Sequence, residues 1–228
     1  GGGPVAIGAG DFDGAMGDDL VVIAGTQGQM SLLQSQGDGT FLLNPVVLTG
    51  GAPSDVLVAD LTDDGGPDIV VANEGDGTVT YFSFAGGLGG AIDYSTGMVG
   101  APRGLSTGQY DLDTNDFADV FAFGGGNYAA LPGDGVGLAA APVGGSLGTD
   151  LRRAVGGDFG GAAAGDAAVA DFAEGGVYVL LGNGAANGFA SMEFYATGAG
   201  ALDVAAGDVT GDGDIDLVVA NRGDDTVT

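Results

Sequence analysis

The chain has 228 residues, with 31 acidic against 4 basic side chains and a formal net charge of −27 at pH 7. A field that negative repels nucleic acid and anionic membranes, so neither is an expected partner. Hydrophobic residues make up 45% of the chain, enough for a core, but no run reaches the roughly 18 apolar residues that span a bilayer.

The first unit opens with a strand over 5–8, followed by Asp11-Phe12-Asp13-Gly14-Ala15-Met16-Gly17-Asp18-Asp19 and a second strand over 20–24. A third strand is predicted over 30–34. Gly37-Asp38-Gly39-Thr40 then turns the chain into a fourth strand over 41–47, since Asp-Gly between apolar runs is a hairpin signal. The second unit repeats this with strands over 56–59, 69–72, 79–84 and 91–98 around Asp60-Leu61-Thr62-Asp63-Asp64-Gly65-Gly66-Pro67-Asp68. Strands over 105–110, 120–123, 128–131 and 138–143 form the third, around Asp111-Leu112-Asp113-Thr114-Asn115-Asp116-Phe117-Ala118-Asp119. In the fourth, strands over 151–156, 167–172, 177–181 and 189–195 surround a copy that keeps only its end carboxylates, Asp158 and Asp166. The fifth has strands over 202–206 and 217–220, with a third beginning near Thr228.

The first Asp of each copy falls at 11, 60, 111, 158 and 208. A period near 49 residues means one supersecondary unit repeated, and four antiparallel strands per unit predict an all-β fold, a β-propeller of four full blades and a half-blade. The expected organisation is one repeat domain over 1–228, with blades near 1–49, 50–100, 101–147, 148–198 and a half-blade at 199–228.

The loops carry the chemistry. In Asp208-Val209-Thr210-Gly211-Asp212-Gly213-Asp214-Ile215-Asp216, oxygen-bearing side chains stand at positions 1, 3, 5 and 9 (Asp208, Thr210, Asp212, Asp216). Gly213 at position 6 suits a positive φ, and the carbonyl of Asp214 at position 7 can add a ligand. Short oxygen donors on alternate residues of a tight loop suit Ca²⁺, which takes about six to eight oxygens. A strand follows where an EF-hand has a helix, and position 12 is Val219 in place of a bidentate Glu. The same reading assigns Asp60, Thr62, Asp64 and Asp68 with the Gly66 carbonyl, and Asp111, Asp113, Asn115 and Asp119 with the Phe117 carbonyl. The first loop keeps Asp11, Asp13 and Asp19 but has Ala15 at position 5, so weaker binding is expected there. No ion is expected at Asp158.

Asp supplies 28 of the 31 acidic residues and 18 of those lie in the five loops, so metal binding accounts for most of the charge. The 50 glycines would suggest low complexity without the period. With no His, Cys or Lys, the usual bases and nucleophiles are missing and a non-catalytic role is expected. Paired carboxylates leave polysaccharide cleavage as a third reading. Arg222-Gly223-Asp224 aligns with an ordinary turn of the second unit and is expected to be structural. The aromatics Phe12, Phe121, Phe123, Tyr128, Phe159 and Phe189 fit core packing better than sugar stacking.

Gly-Asp-x-x-Gly-Asp-Gly-x-x-Asp-Leu-Val-Val-Ala-Asn over 207–221, with Gly37-Asp38-Gly39-Thr40-Phe41, resembles the FG-GAP/VCBS repeats of bacterial exported proteins and integrin α-subunit propellers. The resemblance is strongest in the second and fifth units and fails at the ligand positions of the fourth. It implies a calcium-stabilised propeller, outside the cell or on its surface, closing with about seven blades. Three outcomes then remain for the incomplete ring: further chain, closure with five blades, or completion by a copy of itself through strand addition, which can propagate into a fibre. A structural or adhesive module is the leading expectation. A glycan-binding propeller is the alternative.

Overall fold

The computed structural model describes residues 3–15, 17–84, 87–110, 117–139, 141–160, 165–182 and 188–228. They form twenty strands and no helix, in five antiparallel sheets. The first sheet holds β1 (Pro4–Gly10), β2 (Asp19–Ala24), β3 (Gln29–Ser35) and β4 (Phe41–Leu43), with β5 (Val47–Leu48) also pairing β3. The second is β6 (Pro53–Ala59), β7 (Asp68–Asn73), β8 (Thr78–Phe82) and β9 (Ile92–Ser95). The third is β10 (Gly104–Gly108), β11 (Asp119–Gly124), β12 (Asn127–Leu131) and β13 (Val143–Ser146). β14 (Leu151–Gly157), β15 (Asp166–Asp171), β16 (Gly176–Gly182) and β17 (Phe189–Ala196) make the fourth. Three strands make the last: β18 (Ala201–Gly207), β19 (Asp216–Asn221) and β20 (Thr226–Val227).

In every sheet the strands pair in chain order, which is the meander of a propeller blade. The first strands β1, β6, β10, β14 and β18 lie side by side, so the blades follow one another around an axis. The second strands of the middle three blades are buried along their whole length because each is sandwiched between neighbouring blades. In β7, Val70 and Ala72 pack toward the third blade, while Ile69 and Val71 pack back on the first. Four clusters of this kind join the five sheets, and all of Phe12, Phe121 and Phe123 are buried in them.

Two outer strands depart from expectation. The predicted strand over 41–47 is split into β4 and β5 around Asn44-Pro45, because proline has no N–H for the ladder. In the third blade the outer strand is Val143–Ser146, not 138–143. Leu138 is drawn into the core and bridges to Gly133 instead. Gly144 and Gly145 suit the new strand because a Cβ on either would come within 2.7 Å of the Tyr128 carbonyl or 2.9 Å of its ring.

Candidate metal centre

The aspartate loops join the first and second strands of each blade, all at one end of the array. Their last residue is the same in each: Asp19, Asp68, Asp119, Asp166 and Asp216 open the second strand. The first four are buried, at 2 or 3% exposure. One oxygen of each accepts the backbone N–H of the loop's second residue, from Phe12 (3.1 Å), Leu61 (3.1 Å), Tyr110 (3.0 Å), Phe159 (2.7 Å) and Val209 (2.9 Å). In the first four blades the other oxygen accepts an N–H at the end of the third strand, from Ser35, Phe84, Gly133 and Gly182. The position-nine carboxylate therefore clamps loop to sheet, whether or not the rest of the loop carries ligands.

This contact also corrects the third loop. Nine residues separate Tyr110 from Asp119, against seven between the partners elsewhere, so the loop holds two more residues than its relatives. Gln109 directly follows the first strand of its blade, the place that Asp11, Asp60, Asp158 and Asp208 hold in the others. The proposed ligands Asp111, Asp113 and Asn115 lie outside the described residues. Phe117 is half-buried, its ring beside Gly135.

The first loop brings its carboxylates together. Asp11, Asp13 and Asp19 each place an oxygen within 4.8 Å of the other two, and no other three acidic side chains do so among the described residues. Asp11 Oδ1 accepts the Gly14 N–H (2.8 Å) and Asp13 Oδ1 that of Ala15 (2.8 Å), which curls the loop inward. Gln34 on β3 donates its amide to the other oxygen of Asp13, and this bond holds the Asp13 carboxyl below its ordinary range. A cavity of about 70 Å³ lies beside the trio, lined by Asp13, Asp19, Gln34 and Asn44 over Phe12, Leu32 and Phe84. Gln34 and Asn44 are oxygen-bearing neighbours that no loop motif could have pointed to, since they arrive from later in the blade.

In the second loop Asp60 accepts the Asp64 and Gly65 N–H groups (3.3 and 2.9 Å), Asp64 accepts that of Gly66 (2.9 Å), and the Thr62 hydroxyl faces Asp68 at 3.4 Å. In the fifth, Asp208 accepts from Gly211, Asp212 and Gly213, Asp212 accepts from Asp214, and Asp216 takes the N–H groups of both Val209 and Thr210. Gly65 and Gly213 stand at φ of +85° and +94°, the left-handed backbone that position six was expected to need. The loop expected to be weaker thus has the convergent trio, and in all three loops backbone N–H groups donate to the aspartate oxygens.

The donors are hard oxygens on a tight turn, which fits a hard divalent cation and not a soft metal wanting thiolate or imidazole. Burial raises the Asp68 carboxyl above its ordinary value. The Asp224 carboxylate of the Arg-Gly-Asp triplet accepts the Ala199 N–H (3.0 Å), as Asp76 accepts that of Gly51 in the second blade. That triplet ties a blade to the connection before it.

The model of the FG-GAP-like repeat matches residues 11–71, from the first loop through the second and into its exit strand. That stretch is similar to an FG-GAP-like repeat. No curated protein sequence matches the chain. Among solved structures, BBS1N in complex with ARL6DN, soaked with lead, is similar at a TM-score of 0.65 and 15% identity, over 96% of this chain and 63% of that one. The same complex soaked with mercury gives 0.58 and 17%, over 95% and 58%. An Agrocybe aegerita lectin that recognises non-reducing terminal N-acetylglucosamine gives 0.59 and 19%, over 97% and 64%. The chain spans less than two thirds of each of these structures. At such identities the likeness concerns the fold, and it agrees with the FG-GAP-like repeat in giving an all-β propeller.

Proposed function

We propose that this chain is a non-catalytic propeller scaffold whose aspartate loops hold Ca²⁺ as a structural brace, in a secreted or cell-surface protein where calcium is abundant. The convergence of Asp11, Asp13 and Asp19 beside Gln34 carries this reading. A bound ion would neutralise carboxylates that repel one another and would tie the loop to β2 and β3 of the same blade. The brace would act on the rim, leaving the sides and opposite end of the blades free for a partner.

The test is thermal unfolding of the whole chain in EDTA and in millimolar-range Ca²⁺, with Mg²⁺ as control. A ligand that binds only the folded state at about 100 times its dissociation constant adds about 2.7 kcal/mol per site. A marked Ca²⁺-specific rise in Tm is expected, and identical curves would refute the brace. A second reading, recognition of a glycan by the blade surfaces, is favoured by the propeller likeness to a sugar-binding lectin. A glycan array separates the two, because a purely structural module gives no saturable signal.

A further inference from the structure

Among the described residues, two buried side-chain oxygens have no hydrogen-bond partner, Asn73 Oδ1 and Tyr81 Oη. Tyr81 is 1% exposed, and a buried hydroxyl without a partner carries a desolvation cost that an apolar side chain avoids. The other blades avoid it. Tyr81 pairs with Val70 on β7, and the equivalent places on the third strands, opposite Val21, Phe121 and Ala168, hold Leu32, Ala130 and Val179. Of these four blades, the second alone puts a polar atom there.

That place lies beneath the aspartate loop. In the first blade Leu32 lines the cavity beside Asp13 and Asp19, and two residues further on Gln34 donates its amide to Asp13. In the second blade Leu61, at position two of the loop, is buried in one cluster with Tyr81, and its N–H is held by Asp68. Ser83 follows Phe82 where Gln34 follows Leu33, so no long amide stands at that position of the second blade. Burial, and the Asp68 charge beside it, push the Tyr81 phenol above its ordinary value, yet no hydrogen bond joins the two. A Cβ on Gly137 of the third blade would lie 3.2 Å from the Tyr81 ring, so that blade closes over it.

We infer that Tyr81 is a positioning residue of the second loop: its hydroxyl serves the Asp68 carboxylate as the Gln34 amide serves Asp13, and it gains its missing partner when Asp60, Asp64 and Asp68 hold a cation. Asp68 already accepts the N–H groups of Leu61 and Phe84, but two carboxylate oxygens offer about four acceptor sites. The role presupposes the calcium brace and extends it inward, to the face where the second blade meets the third.

The test is Tyr81→Phe, which removes one oxygen and keeps the ring, followed by thermal unfolding and titration calorimetry of the 228-residue chain with EDTA and with Ca²⁺. In EDTA the variant should melt at or above the parent, because the unpartnered hydroxyl is gone. Ca²⁺ should raise its Tm less than the parent's, with one binding event weakened about tenfold or more. Asp64→Asn should weaken that same event. The chain has no Trp, so near-ultraviolet circular dichroism reads its tyrosines, and the Ca²⁺-induced change should shrink in Tyr81→Phe. A parent that responds to Ca²⁺ and a Tyr81→Phe that responds equally, whatever its Tm in EDTA, would overturn the role of Tyr81 alone. So would a weakened event that Asp13→Ala moves and Asp64→Asn does not. A parent that binds no Ca²⁺ would overturn it together with the brace.

Discussion

Replacing Asp166 by Ala isolates the clamp from any ion, because the fourth loop keeps only its two end carboxylates. Asp166 is buried, and its two oxygens accept the N–H groups of Phe159 and Gly182, each at 2.7 Å. Hydrogen bonds to a charged acceptor contribute about 1.5–3 kcal/mol each, and two donors left without a partner bring the loss to roughly 3–5 kcal/mol. At about 2–4 °C per kcal/mol for a chain of this size, Tm should fall by roughly 6–20 °C. Asp166→Asn keeps one acceptor and should lose about half as much. The assay is differential scanning calorimetry, run with Ca²⁺ and with EDTA. An Asp166→Ala melt equal to the parent, or a loss seen only when Ca²⁺ is present, would refute the reasoning.

Asp13→Ala removes one carboxylate of the convergent trio and the partner of Gln34. It should weaken the tightest Ca²⁺ binding event seen by titration calorimetry by about tenfold or more, while leaving the far-ultraviolet circular dichroism of a β protein. Asp55 accepts the Leu105 N–H of the next blade at 2.9 Å, and burial holds its carboxyl above the ordinary value of 3.8. The fold therefore favours the protonated form. Its contribution is full below the unfolded-state pKa and is lost as pH rises through the raised value. In pH-resolved melting, the Tm of Asp55→Asn relative to the parent should move in the variant's favour across that window, and a constant difference would contradict the shift. Gly104→Ala puts a methyl 2.3 Å from the Phe123 ring in the packed core. It should cost about 1–3 kcal/mol, read as a lower midpoint in urea.

Much of the architecture was legible because it rests on local pattern. Apolar runs after each aspartate loop can only be buried strands, and their recurrence near 49 residues made the blade visible. Outer strands were less legible. Val143–Ser146 has no periodicity to read, and its place is set by the Tyr128 ring and carbonyl against which only glycine fits. The third loop was misaligned for a related reason. Asp111 continues the aspartate pattern, but the bond from Tyr110 to Asp119 shows that the backbone starts the loop two residues earlier.

The sequence by itself determined the repeat, the strand faces and the supply of hard oxygen donors, since these follow from side-chain period and from residue type at each loop position. Only the tertiary structure decided which carboxylates meet, since among the described residues three converge only in the first loop, where Gln34 reaches Asp13 from β3. It also decided that the position-nine aspartates are clamps, because that depends on which N–H groups a neighbouring strand places beside them.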